Sequence, residues 1–281
     1  MSVIERKAGS AQADRSCILP RHAIILNCFG RGGSNIVWNM IGSSPDVIMP
    51  NSEWHDAVFG KWNRLRKLMR GAGARFDWNL VPGLARLAAD RQRRGTALWE
   101  FRSKPEANAI TIKVMGHHIV FANLIEAGFA THRHLILTRH PLPMCESLIR
   151  VGNAEADVIA LYNDIATTML DIARRDRTLL LKFEDVIADP AGFCRKLHAD
   201  LGIATPADGL IRVKIKKFGE ERQDRSATGA YTAIPFDALR DQIDATVNRK
   251  AVERLDAATR ERIWTATREA ARPFGYDELQ F

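Results

Sequence analysis

Short apolar segments alternate with helical segments along this chain, and this alternation restricts the fold more than any other feature of the sequence. Strand patterns are typical of residues 23–29, 43–49, 109–115, 132–139 and 177–183. The first of these is a continuous apolar run, as expected of a strand that is buried on both faces. Strands that alternate with helices in this way predict an α/β fold of three layers, in which a mostly parallel central sheet is flanked by helices.

Helix signals mark several of the intervening segments. Ser34 or Asn35 suits the N-cap of a helix that continues to Ile41, and Pro141 suits the first residue of another helix. Residues 218–235 have the composition of a loop. Further helices are predicted over residues 55–94, 117–128, 154–174 and 189–202 and over much of the last third of the chain.

Length, charge and cysteine content narrow the class of protein. The chain has 281 residues, 46% of them hydrophobic, which predicts one globular domain over residues 21–281 after a disordered tail over residues 1–20. A net charge of +8 favours anionic partners, although a basic solvated surface explains it equally well. The four cysteines are far apart, and no apolar run is long enough for a transmembrane segment or a signal peptide. We therefore expect a cytoplasmic protein without disulfides, a zinc site or a transmembrane segment.

A glycine-rich turn joins the first predicted strand to the first predicted helix. Its glycines, at positions 30, 32 and 33, permit positive φ and let backbone N–H groups converge without a β-carbon in the way. The helix that follows adds the positive end of its dipole. Together with Arg31 and the Ser34 hydroxyl, the turn is a candidate site for a phosphate or sulfate group, although glycines that serve packing alone explain the same pattern.

The same turn lacks the signatures of two common nucleotide sites. The Gly-Lys-Ser/Thr ending of ATP and GTP loops is absent, and the Gly-x-Gly-x-x-Gly pattern of dinucleotide sites cannot be aligned with these glycines. The anion at this turn is therefore of another kind.

A second motif closes a later predicted strand, where Arg139 is followed by Pro141 and, eight residues after the arginine, by Ser147. Together with residues 31–35, this motif resembles the family of sulfotransferases that use 3'-phosphoadenosine-5'-phosphosulfate (PAPS). The resemblance implies a sulfotransferase architecture similar to that of P-loop NTPases. It implies that the 5'-phosphosulfate is held by Arg31, Gly32, Gly33, Ser34 and Asn35, and the 3'-phosphate by Arg139 and Ser147. A planar guanidinium and a hydroxyl suit a compact dianion.

Two further segments extend the resemblance. Residues 179–203 are similar to the Tyr-Glu-Asp-Leu strand and the Asp-Pro helix of the family, which implies that Phe183 lies near the adenine. The family often has a late basic loop that closes over the 3'-phosphate, and Arg225 is the candidate residue for this loop here. Gly32 and Asn35 stand where the family usually has serine and threonine, so two hydroxyls are absent, although the Gly32 N–H and the Asn35 amide can still donate.

The resemblance implies an enzyme that moves a sulfuryl group to a hydroxyl or amine of a small-molecule, lipid or carbohydrate acceptor. The product nucleotide is 3',5'-ADP, and no metal is required. By analogy with phosphoryl transfer, catalysis depends on positioning and on positive charge at the leaving oxygen, for which Arg31 and Lys113 are the candidates. A general base would take the proton of the acceptor, and the candidates, in order, are Glu53, His117 and His55.

Two other classes of protein remain open from the sequence. One is a P-loop-like nucleotide-binding protein or a kinase without sulfotransfer activity, against which the missing Lys-Ser/Thr argues. The other is a nucleic-acid-binding protein, suggested only by charge and by the basic residues 61–75, without an aromatic-rich strand. We therefore expect no nucleic acid among the partners. The oligomeric state is open, and a homodimer is allowed.

Overall fold

Five parallel strands form the central sheet of the part of the chain that the computed structural model describes, namely residues 21–49, 104, 107–116, 119, 122–126, 129–175, 178–214 and 231–277. In chain order they are β1 (His22–Cys28), β2 (Val47–Ile48), β3 (Ala109–Met115), β4 (Thr131–Thr138) and β5 (Leu179–Lys182). Their order across the sheet is β2-β3-β1-β4-β5. The α/β fold with a parallel central sheet is thus confirmed.

Helices connect these strands and follow them. They are α1 (Ser34–Ser43), α2 (Ala122–Glu126), α3 (Pro141–Ile149), α4 (Glu155–Ala173), α5 (Phe183–Ala188), α6 (Pro190–Leu201), α7 (Leu239–Gln242), α8 (Val247–Glu253) and α9 (Ala257–Ala271), with 3-10 turns at Phe236–Ala238 and Arg272–Phe274. The Asp189 side chain caps α6 by accepting from the Gly192 N–H at 3.0 Å, and Gly202 ends that helix in the left-handed conformation. The helical tendency over residues 55–94 lies outside the described residues.

Apolar side chains fill the space on both faces of the sheet. On one face, residues of α3, α4 and α9 pack in a single buried cluster, which contains Met144, Tyr162 and Trp264. On the other face, α1 and α6 contribute to a second cluster, which contains Trp38 and Leu197. Burial on both sides explains why the strands are apolar runs rather than alternating patterns.

One predicted loop is in part a strand. Residues 231–235, the last part of the predicted loop 218–235, form β7 (Tyr231–Pro235), which pairs antiparallel with β6 (Leu210–Lys214). Ile234 is paired with Ile211, and both side chains are buried in the same cluster as α1. The loop interpretation is therefore wrong for these five residues, which pair with the preceding strand β6 and are less polar than the rest of the predicted loop.

The strand register brings four carboxyl ends to one edge of the sheet. Cys28 at the end of β1 is paired with Met115 of β3 and with Leu137 of β4, and Thr138 of β4 is paired with Lys182 of β5. β1 lies between β3 and β4, and the helices that follow β1 and β4 pack on opposite faces of the sheet. A crevice opens at such a point in a doubly wound sheet, and ligands bind there.

Among the described helices, none combines the length and the apolar character that crossing a membrane requires. Cys28, Cys145 and Cys194 are buried free thiols. Burial raises the pKa of both Cys145 and Cys194 to about 12, so these two thiols stay protonated at neutral pH.

Candidate active site

A cavity of about 700 Å³ lies at the carboxyl edge of the sheet. The glycine turn, the ends of β3 and β4 and the start of α5 all contribute to its wall. Of the residues predicted from the sequence, it is lined by Arg31, Gly33, Ser34, Asn35, Lys113, Arg139, Ser147 and Phe183. The two segments that were predicted to bind anions therefore meet in one cavity.

The glycine turn has two residues in the left-handed region of φ. Arg31 has φ of 65° and Gly33 has φ of 78°. A β-carbon on Gly33 would lie 2.1 Å from the Phe183 ring, so glycine is required both by the backbone conformation and by the close approach of that ring. The Gly32 N–H donates to the Phe29 carbonyl at 3.3 Å and closes the turn.

Helix α1 begins at the cavity. Its N-cap is Gly33 rather than the predicted Ser34 or Asn35, and this residue has no side chain with which to cap the first turn. The described first turn also has no acidic residue. The positive end of the helix is thus directed to the part of the cavity that Ser34, Asn35 and Ile36 line.

Arg139 directly follows β4 and is held by two hydrogen bonds. Its Nε donates to Asn248 Oδ1 at 2.9 Å, and its NH1 donates to the Arg31 carbonyl at 2.7 Å. The guanidinium lies 5.0 Å from the centre of the Phe183 ring. Burial lowers the pKa of Arg139 to about 10, although Glu184 and Glu146 act in the opposite direction. The side chain is therefore a buried cation at neutral pH.

The first motif contacts the second through Arg31. Its Nε donates to Ser147 Oγ at 3.1 Å. Ser147 lies in α3, which begins at Pro141 with His140 as its N-cap. Arg31 therefore lies with the two residues that the resemblance assigns to the 3'-phosphate.

Lys113 is a second buried cation in the cavity wall and is 1% exposed. Its Nζ donates to Asn35 Oδ1 and lies 5.0 Å from the centre of the Trp38 ring. Because Asn35 belongs to the glycine-turn segment, Lys113 lies close to the predicted 5' group rather than facing solvent.

The C-terminal part of the chain adds charged residues that sequence reasoning missed. Arg254 donates to both oxygens of the buried Glu146, with NH2 2.9 Å from Oε2, and Arg150 Nε lies 3.3 Å from Glu146 Oε1. All three residues line the cavity. Val247 and Ala251 of α8 and Arg254, which directly follows this helix, line the cavity from the same side. Their helical spacing is the sequence signal that could have identified this cavity-lining face.

Four predicted residues lie outside the described part of the chain. They are Glu53, His55, His117 and Arg225. Their roles as general bases and as a late anion-binding arginine therefore stay predictions.

A network of hydrogen bonds around Glu126 lies at the opposite edge of the sheet, near the start of β4. Glu126 Oε1 is 2.8 Å from His134 Nε2 and accepts from Arg175 NH1 at 2.6 Å, and Glu126 Oε2 is 3.6 Å from His132 Nε2. Asn27 Nδ2 lies 3.1 Å from His134 Nδ1. Burial lowers the pKa of His134, so a neutral ring that accepts from Asn27 and donates to Glu126 satisfies this network.

His140 is buried beside the cavity wall and stacks on Trp264, with the ring centres 5.4 Å apart. Its Nδ1 accepts from the Leu142 N–H at 3.3 Å, which caps α3. Burial lowers the pKa of His140 from 6.5 to about 4, against a hydrogen bond with the Asp277 backbone that raises it. The folded protein therefore keeps this ring neutral well below pH 6.5.

The stability of the protein is expected to fall as the pH drops from about 6.5 towards 4, because the unfolded state binds a proton at His140 that the folded state excludes. This one group contributes a loss of about 2 kcal/mol between pH 7 and pH 4.5. Urea unfolding of the wild type and of His140→Asn at both pH values tests this, since asparagine can still cap α3 and does not titrate. The decrease in the free energy of unfolding between the two pH values should be smaller by that amount in the variant. An identical decrease in both proteins would contradict this role of His140.

Comparison with solved structures shows that the fold is that of sulfotransferase domains. Two of the solved structures with this fold serve as examples. The sulfotransferase domain of the olefin synthase from Synechococcus PCC 7002 is 19% identical, with 93% of this chain and 97% of that chain covered and a TM-score of 0.58. The sulfotransferase domain of the curacin biosynthetic pathway is 14% identical, with 92% and 99% covered and a TM-score of 0.56. At such identities the likeness shows the fold alone. No protein-family model and no curated protein matches the chain.

Proposed function

We propose that this chain is a sulfotransferase that moves a sulfuryl group from PAPS to a hydroxyl or amine of a small-molecule, lipid or carbohydrate acceptor. One observation carries the proposal. The segments that resemble the two anion-binding motifs of PAPS enzymes contact each other in one cavity, through the Arg139–Arg31 bond of 2.7 Å and the Arg31–Ser147 bond of 3.1 Å.

The residues in the cavity wall fit a nucleotide with an anionic group at each end. Buried Arg139 offers a planar set of donors, and Ser147 offers a hydroxyl beside it. The start of α1, with the Gly33 backbone and Ser34, offers donors of the kind that hold phosphate groups. PAPS would supply a sulfuryl group on a phosphate leaving group.

We assign roles to the side chains of this chain accordingly. Arg139, Ser147 and Arg31 bind the 3'-phosphate, whereas Gly33, Ser34 and Asn35 bind the 5' group. Lys113, held by Asn35, stabilises negative charge on the leaving oxygen. Arg31, whose Nε donates to Ser147, remains the second candidate for this charge beside Lys113. Phe183 borders the adenine, and Glu53, His117 or His55 accepts the proton of the acceptor.

The remaining expectations on organisation belong to the same proposal. Residues 21–281 form one domain after a tail over residues 1–20, and the enzyme requires no metal ion. It acts in the cytoplasm, which the buried free thiols of Cys28, Cys145 and Cys194 support. The protein works as a monomer or as a homodimer.

Binding of nucleotides to the purified chain tests the proposal. By isothermal calorimetry, 3',5'-ADP should bind about 100-fold more tightly than 5'-AMP, because charge-assisted hydrogen bonds to the 3'-phosphate are lost with the latter. Transfer of label from radioactive PAPS to a panel of hydroxyl and amine acceptors then tests catalysis. Tight, magnesium-dependent binding of ATP without binding of 3',5'-ADP would favour a kinase-like protein and overturn the proposal.

A further inference from the structure

Glu184, at the start of α5, is the acceptor for three hydrogen bonds beside the cavity. Its Oε1 accepts from the His140 N–H at 3.1 Å and from Asn248 Nδ2 at 2.8 Å, and its Oε2 accepts from the Tyr276 hydroxyl at 2.8 Å. Tyr276 is in turn 3.1 Å from Thr138 Oγ1, at the end of β4. The carboxylate is therefore fixed by donors from three separate parts of the chain.

Asn248, on α8, lies between this carboxylate and Arg139. The side chain is 2% exposed, donates to Glu184 through Nδ2 and accepts from Arg139 Nε through Oδ1 at 2.9 Å. Glu184 can only accept when ionised and Arg139 can only donate, so the amide has one orientation that satisfies both partners.

This arrangement orients Arg139 without a carboxylate in direct contact. A carboxylate paired directly with the guanidinium would offset much of its charge and would compete with an anionic ligand for its donors. A neutral amide fixes Nε, and the Arg31 carbonyl accepts from NH1. Among the bonds of the described residues, the other N–H groups of the guanidinium stay available on the side of the cavity that Arg139 lines.

We propose that Asn248 is a positioning residue for recognition of the 3'-phosphate, because it orients Arg139 and keeps the Glu184 carboxylate one amide away from it. The inference rests on the proposed function, and it assigns a role to a residue that belongs to none of the motifs of the resemblance. A matching role follows for Glu184, which holds the amide in its orientation.

The test compares Asn248→Asp and Asn248→Ala with the wild type, using 3',5'-ADP and 5'-AMP as probes. The aspartate places a carboxylate against Arg139, and the alanine removes its orienting acceptor. Affinity for 3',5'-ADP should fall about 30-fold in the folded variants, whereas affinity for 5'-AMP should stay within about threefold. Asn163→Asp and Asn163→Ala serve as matched controls, since this amide donates to the Ala266 carbonyl at 3.0 Å, away from the cavity.

A pH series provides a readout that a purely structural role would not change. Relative to the wild type at each pH, the aspartate variant should regain affinity for 3',5'-ADP when the new carboxyl is protonated, and the alanine variant should not. Equal losses for both nucleotides, or no loss in either variant, would overturn the inference. If the aspartate variant does not fold, the ratio of the affinities of the alanine variant for 3',5'-ADP and 5'-AMP tests the inference. A wild-type chain that does not bind 3',5'-ADP overturns the proposed function, and this inference with it.

Discussion

Replacing Arg139 by alanine is expected to weaken binding of 3',5'-ADP by about 100-fold or more. The 3'-phosphate would lose two or more charge-assisted hydrogen bonds from a buried guanidinium. Binding of 5'-AMP should fall less, since this nucleotide lacks the 3'-phosphate that we propose Arg139 to recognise. Calorimetric titration of both nucleotides measures the two losses.

Two controls separate recognition from folding. Arg139→Lys keeps the charge without the planar donor set and should give an intermediate loss. Arg262→Ala removes an exposed arginine that is paired with Glu155 on the surface, with Nε 2.8 Å from Oε1, and should leave nucleotide binding unchanged. If Arg139→Ala remains folded and binds 3',5'-ADP as the wild type does, the assignment of the 3'-phosphate site is wrong.

The second large effect is expected for Gly33→Ala. The new β-carbon would lie 2.1 Å from the Phe183 ring, at a residue with φ of 78°. The left-handed conformation costs about 1 kcal/mol and the steric clash about 1–3 kcal/mol more, so the free energy of unfolding should fall by about 2–4 kcal/mol. Because the turn must move away from the ring, binding of both nucleotides should also weaken. Urea unfolding and calorimetry measure the two losses.

Two comparisons isolate the cause of that loss. Gly152→Ala has φ of 98° and no atom within 4 Å of the new β-carbon, so it reports the cost of the conformation alone. In a Phe183→Ala background the clash is removed, and Gly33→Ala should then cost about 1 kcal/mol. A loss that is the same in both backgrounds would show that contact with the ring is not its source.

The central sheet and most of its helices were predictable from local sequence. The apolar run over residues 109–115 coincides with β3, since a strand buried on both faces needs no partner-specific pattern. Pro141 and Asp189 mark the starts of α3 and α6 through local backbone chemistry. The strand at residues 231–235 was not predicted, because its conformation depends on pairing with β6, and the composition of residues 218–235 does not specify that partner.

The residues of the candidate site likewise differ in whether local sequence could predict them. The positions of Arg139 and Ser147 follow from a motif that spans one strand end and one helix start, and the structure places both in the cavity wall. Local sequence does not predict the partners of Asn248 and Arg254, because each contacts a residue more than a hundred positions away. Charge alone did not distinguish Arg254 from the other arginines of the C-terminal part.

The bond from Arg139 to the backbone carbonyl of Arg31 joins the two candidate anion-binding motifs directly. A change of side chain at Arg139 would remove a hydrogen bond from the main chain of the turn after β1. On the proposed function, redesign of the site for a different nucleotide would therefore have to alter both strand ends together. If one motif were exchanged for that of another protein, the other motif would lose the Arg139–Arg31 hydrogen bond.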